Sequence, residues 1–240
     1  MFSQVPSSAT LHERFEHQAS VRPRATAVEC DGVWLTYREL NQEANRLARR
    51  IVEEGVGEGE LVLVDVERSC DLIVSLLAVL KAGGAFLLTE DAPPHTSREA
   101  WIRSTGAQVL LTDFASGFEG RGMRSVGCYE ASGTDDNLGT RTQSEGWACV
   151  ASQAGWTHAA VAKRLDWARD VLALRAEERV LSSVSLHGEA VLELLLPLIN
   201  GATLVLASAH ELRNPERLAR LEQRTDCRTL RMPPRLAATA

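Results

Sequence analysis

With 240 residues, 45% hydrophobic and 24% charged, the chain is long enough to bury a core in one large domain or two small ones, and disorder is excluded as its main state. Thirty-two acidic side chains against 26 basic ones give a net charge of -6, which argues against nucleic acid or an anionic membrane as the main partner. The five cysteines are widely spaced and never form a C-x-x-C pair, so they fit neither a zinc site nor a disulfide framework. With a polar N-terminus and no apolar run of the ~18 residues that a membrane span needs, this points to the cytosol.

In chain order, Leu11, Phe15 and Ala19 lie on one helical face. Ala27 to Cys30 is a short apolar run closed by the Asp31-Gly32 turn, and Thr36 caps an amphipathic helix carrying Leu40, Ala44, Leu47 and Ile51. Leu61 to Val66 reads as a buried strand, Leu72 to Leu80 as an apolar helix ended by Gly83-Gly84, and Ala85 to Leu88 as the next strand. Val109 to Thr112 is another, after a helix around Ala100. From Phe114 to Gly146 the composition turns to Gly, Ser, Thr and Asp, which predicts a loop or junction.

Alternation then resumes: strand Ala148 to Ala151, helix Ala159 to Leu174, strand Arg179 to Val184, helix Ala190 to Ile199 and strand Thr203 to Ala207. A helix from Pro215 to Gln223 capped by Asn214 and a strand from Arg228 to Arg231 complete it. Strands this apolar, alternating with helices, imply two parallel-sheet α/β layers. The expected division is residues 1–120 as a first α/β subdomain, 121–146 as a junction, and 147–240 as a second. No internal sequence repeat is convincing.

Three constellations invite a chemical reading. His12-Glu13 with His17 falls short of a zinc-binding H-E-x-x-H, because five residues place the two imidazoles about 140° apart around a helix. Solvated residues on an amphipathic helix are the expectation there. Ser185, His187 and Glu189 have a nucleophile's residue types without a G-x-S-x-G elbow, and a helix start with a capping Ser and a first-turn Glu explains them. A small-molecule binder or hydrolase would need a pocket lined by His158, His187 and Glu189. No Gly-rich phosphate loop of either standard spacing occurs.

Leu11-His12-Glu13-Arg14-Phe15-Glu16, Leu35-Thr36-Tyr37-Arg38-Glu39-Leu40 with Asn41, Ala44 and Asn45, and Leu80-Lys81-Ala82-Gly83-Gly84-Ala85-Phe86 resemble the opening motifs of a nonribosomal peptide synthetase adenylation domain, in the adenylate-forming superfamily. Arg179-Val180-Leu181, Pro197-Leu198, Gly201 to Ala207 and Pro233-Pro234 continue the resemblance, in order. It implies the first half of that superfamily's large N-terminal lobe. In the family the lobe continues, with the rest of the substrate pocket, the adenine and ribose contacts and a lid with a catalytic lysine.

The departures fall on the chemistry. Where the family has a Ser/Thr/Gly-rich loop ending in Pro-Lys-Gly for ATP phosphates, this chain has Ser152, Gln153, Ala154, Gly155 and Trp156. Where the family pairs a Phe-Asp with the substrate's ammonium, His187 and Gly188 stand, with Glu189 one residue on. The second motif ends in Leu88-Thr89-Glu90. The resemblance therefore implies a truncated, degenerate and catalytically inactive domain with no catalytic residue, cofactor or metal. Its role would be structural or docking within a peptide synthetase. The alternative is one part of a split amino-acid adenylating ligase that needs a second polypeptide. Expected partners are neighbouring condensation-type or carrier-protein domains, or a second copy of the chain. The contact is expected from about Trp147 onward, where an open sheet edge at Arg228 to Arg231 would need cover.

Overall fold

The computed structural model describes residues 6, 8–92, 97–113, 123–130, 133–151, 154–225 and 227–229. Eight α-helices and eleven strands are formed among them. They are α1 (Leu11–Val21), β1 (Thr26–Cys30), β2 (Val33–Thr36), α2 (Tyr37–Glu53), β3 (Leu61–Asp65), α3 (Cys70–Ala82), β4 (Ala85–Leu88), α4 (Arg98–Ser104), β5 (Val109–Thr112), β6 (Arg124–Gly127), β7 (Trp147–Ala151), β8 (Ala154–Thr157), α5 (His158–Leu172), β9 (Arg179–Ser182), α6 (Leu195–Ile199), β10 (Thr203–Leu206), α7 (Ala209–Leu212), α8 (Pro215–Thr225) and β11 (Arg228–Thr229).

The strands make two sheets, in the orders β11-β9-β10-β1-β2 and β6-β5-β3-β4-β7-β8. Every pairing is parallel except the two hairpins, β1 with β2 and β7 with β8. The division at 121–146 separates the sequence and not the sheets, because β1 pairs with β10 while β7 joins β4.

Helix α3 lies between the layers, touching β1 and β2 of one sheet and β3 and β4 of the other. Every residue of it except Asp71 is buried, which is why its sequence is mostly apolar, and its buried Lys81 is paired with Glu16. On the far faces, Leu63, Leu87, Ile102 and Leu110 form a second cluster, and Leu181, Val205, Ala207 and Leu221 a third. Leu40, Leu47, Ile51, Leu63, Leu76, Val79, Leu110, Leu181, Leu195 and Leu204 are all buried as expected. Arg68 ties the sheets at their strand ends, donating to the carbonyls of Ala207, Val184 and Ser182 at 2.7, 2.6 and 3.2 Å.

The expected helix ends are present. Thr36 and Glu39 form a reciprocal capping box, Gly83 closes α3 at φ 89, and Asn214 accepts from the amides of Glu216 and Arg217. Sequence patterning misses β2, β6, β8 and α7, each four residues long. The helix expected from Ala190 to Ile199 is a 3-10 turn over Gly188–Leu194 followed by the short α6. Of the strand expected from Arg228, residues 230 and 231 lie outside the described part, and β11 is the outer strand of its sheet.

One feature of the backbone is repeated. In β1-β2-α2, a five-residue strand, two linking residues and a four-residue strand whose last residue is a capping Thr lead into a helix; β7-β8-α5 has the same order, the same strand lengths and the same number of residues between the strands. The ladders match position for position, Glu29↔Trp34 and Cys30↔Val33 corresponding to Val150↔Gly155 and Ala151↔Ala154, with the register shift at the same place.

Candidate functional site

The residues that stand at the family's phosphate and ammonium positions lie near the ends of β4 and β7. Of the phosphate segment, Ser152 and Gln153 lie outside the described residues; they are the whole connection between β7 and β8. Ala154, Gly155 and Trp156, expected in a loop, belong to the β8 strand. β8 continues the antiparallel ladder from Ala151↔Ala154 to Trp147↔Thr157, and Thr157 turns directly into α5 by accepting from the Ala160 amide at 3.1 Å.

Gly155 is explained by packing. A Cβ built on it would come within 2.5 Å of the Trp147 ring, so the missing side chain seats an indole from the neighbouring strand. Trp156 packs against the main core, and the Arg164 guanidinium lies over its ring at 5.8 Å. Arg164 also pairs with Glu189 at 2.8 Å, both side chains being mostly buried.

Glu189 is thereby engaged and is no free ammonium ligand. Its neighbour Gly188 donates its backbone N–H to Asp91 at 2.5 Å, and His187 is exposed beside it. Ser185 accepts from the His187 amide at 3.2 Å instead of capping a helix. The 3-10 turn at Gly188 has no side-chain cap, which corrects the helix-start reading. Thr89, from the altered end of the second motif, donates to Asp65 at 2.7 Å. The cluster thus runs from Trp156 through Arg164 to Glu189, with Asp91 closing on the adjacent backbone. Arg164 and Glu189 neutralise each other's charge, while Arg164 Nε is buried without a hydrogen-bond partner among the described residues. Burial pushes the nearby Cys149 thiol up to about 12, which removes it as a nucleophile.

The structure separates the remaining sequence candidates. His158 does not join His187 and Glu189: its Nδ1 accepts from the Leu11 amide at 3.2 Å, and its ring stands edge-on to His12 at 5.6 Å. His12, expected in solvent, is buried, because α1 packs its first turn on the start of α5. Burial, then the neighbouring imidazole, pushes His12 down to about 3, and burial takes His158 to about 4. Two neutral rings there are core packing. Among the described residues no group of three or more His, Cys, Asp or Glu could hold a metal ion. No described helix is long and apolar enough to cross a membrane. A separate open cleft of about 660 Å³ is lined by Thr10, Glu13, His17, Thr140, Thr142 and Ser144. Its carboxylate is already committed, for Glu13 accepts from Thr140 at 2.7 Å and from the Thr10 amide at 2.8 Å.

Sequence reasoning missed Arg164 and Asp91. Both are polar residues without a motif, and only the three-dimensional meeting of α5, the turn after β4 and the 188–194 turn reveals them.

The profile of the family described as AMP-binding enzyme matches residues 15–161. Tyrocidine synthase 3 of Brevibacillus parabrevis is 31% identical over 98% of this chain, and surfactin synthase subunit 1 of Bacillus subtilis 34% over 91%. The chain spans 4% and 7% of their lengths. Among solved structures, the nonribosomal peptide synthetase FmoA3 superposes with TM-score 0.84 and 28% identity, over 94% of this chain and 25% of its own. The N-terminal subdomain of Klebsiella oxytoca NpsA, in complex with 3-hydroxybenzoyl-AMSN, has the same fold, with TM-score 0.80 and 19% identity over 94% of this chain and 60% of its own. The chain belongs to the AMP-binding enzyme family, and what it holds is part of a nonribosomal peptide synthetase adenylation domain, in the fold of the N-terminal subdomain.

Proposed function

We propose that this chain is a cytosolic, catalytically silent adenylation fold that serves a nonribosomal peptide synthetase as a structural or docking element. The observation that carries the reading is the β7-β8 hairpin. Phosphate binding needs several free backbone amides around an anion and a cation to complete the charge. Here only two residues connect the strands, and the residues that follow pair antiparallel with β7 in a sheet ladder. No lysine lies between Trp147 and Ala162. The ammonium position has a backbone amide and an exposed imidazole where an acid is required.

Packing motifs remain while chemical ones are replaced, which separates fold from activity. Condensation-type and carrier-protein domains are the proposed partners. The test is amino-acid-dependent ATP/pyrophosphate exchange by the purified chain, across proteinogenic and aryl acids. The reading predicts none. Exchange above background, alone or on adding a second polypeptide that continues the lobe, would favour the split-ligase alternative and defeat it.

A further inference from the structure

Helix α5 has two unlike faces. Val161, Ala162, Leu165 and Ala168 are buried, whereas Ala160, Lys163, Trp167, Asp170 and Val171 face outward, with Trp167 43% and Val171 54% exposed. The equivalent helix α2 has its outward face covered. Asn41, Gln42, Asn45 and Arg49 hold the 134–137 segment across it with hydrogen bonds of 2.6 to 3.0 Å. On α5 a tryptophan stands in water instead, and such residues anchor interfaces.

The charges of the face say what fits it. Arg164 is paired with Glu189, Asp166 with Arg14 and Arg169, and Asp170 with Arg169. Lys163 makes no ion pair among the described residues, so an opposing carboxylate suits it. At about 100° per residue, Lys163 lies about 40° to one side of Trp167 and one turn before it; Asp170 lies about 60° to the same side and one turn after. Consider a twofold axis through Trp167, perpendicular to the helix and in the plane of contact. It reverses the helix end for end and keeps each flank on its own side. Lys163 of one copy then meets Asp170 of the other, twice, the two Trp167 rings meet at the axis, and Val171 falls beside Ala160 and the stem of Arg164. A parallel twofold pairing exchanges the flanks and would set Lys163 against Arg164, cation against cation.

We propose that the outward face of α5 is a self-complementary interface through which two copies of this chain pair antiparallel. This deepens the docking reading and rests on it. The local balance of one lysine and one aspartate also avoids the repulsion that a chain of net charge -6 meets elsewhere on its surface.

Sedimentation velocity of the whole chain, from low to high micromolar, tests it. A dimer is expected, weakened at least about tenfold by Trp167→Glu, as is usual for a central aromatic anchor. Lys163→Asp should weaken it too, and adding Asp170→Lys to that variant should restore it. Circular dichroism checks that each variant folds, and Trp167→Cys should give a disulfide between the two introduced thiols under mild oxidation. A monomer at every concentration, a dimer indifferent to Trp167→Glu, or a charge swap that restores nothing would overturn the proposal. Those failures leave the exchange assay as it stands, whereas exchange activity by an intact dimer would sink the docking reading alone.

Discussion

The two hairpin-helix units, β1-β2-α2 and β7-β8-α5, have one backbone plan and different surroundings. In the first, Asp31 at φ 49 and Gly32 at φ 81 make the two-residue turn that twisted hairpins favour, and no phosphate motif is involved. In the second, the same plan stands where the family resemblance places a phosphate loop. Its two strands and its Thr157 cap repeat those of the first unit. The first helical residue is equivalent too: Tyr37 and His158 are both fully buried and both reach across to another element. The Tyr37 hydroxyl donates to the Ala202 carbonyl at 2.8 Å, and the His158 ring accepts from Leu11.

The largest effect expected is on the sheet that the second unit joins. Leu63→Ala in β3 removes a fully buried side chain and should cost roughly 2 to 5 kcal/mol in urea unfolding, in line with large-to-small core substitutions. A loss below that would mean that β3 is not central.

Acid should then separate the units. His12 and His158 are neutral in the fold, with values of about 3 and about 4 against an ordinary 6.5. Their contribution is intact above pH 6.5 and is lost as pH falls from there toward 4, because the unfolded chain takes up protons that the fold refuses. Each imidazole should cost about 1.4 kcal/mol per pH unit in that window. Unfolding midpoints between pH 7 and 5 measure it, and His158→Gln should flatten the slope. Tyr37→Phe, at the equivalent place in the first unit, should leave it unchanged.

Smaller effects sharpen the comparison at the turns and caps. Gly155→Ala should cost about 1 to 3 kcal/mol by overpacking against Trp147, and Trp147→Ala in the same chain should remove that cost. Gly32→Ala meets nothing within 4 Å, so its loss of about 1 kcal/mol comes from backbone conformation and no neighbour should rescue it. Thr36→Ala and Thr157→Ala should each cost about 1 kcal/mol, the first more because Thr36 also shares a capping box with Glu39.

What could be read from sequence was what local pattern and nearby residues determine. The amphipathic α2, the apolar α3 and the Gly83 cap were legible because period and cap coincide within one segment. β8 was not, since Gly, Trp and Thr over four residues resemble a loop; its strand character comes from the ladder with β7. The burial of His12 depends on His158, which lies far along the chain, and α1 alone gives no sign of it. At the candidate site, Trp156, His187 and Gly188 were picked out by resemblance alone. The link through Arg164 was not, because an arginine on an amphipathic helix reads as solvated until Glu189 is placed beside it.

If the β7-β8 hairpin offers no seat for nucleotide phosphate, as proposed, nucleotide will leave the stability of the chain unchanged. Titration of the chain with magnesium ATP, followed by melting temperature and by calorimetric heat, tests this most directly. A ligand at a hundred times its Kd stabilises the state it binds by about 2.7 kcal/mol. An unchanged melting temperature and no saturable heat are expected at millimolar nucleotide. A saturable rise in melting temperature that Arg164→Ala or an insertion between Ala151 and Ala154 alters would contradict it.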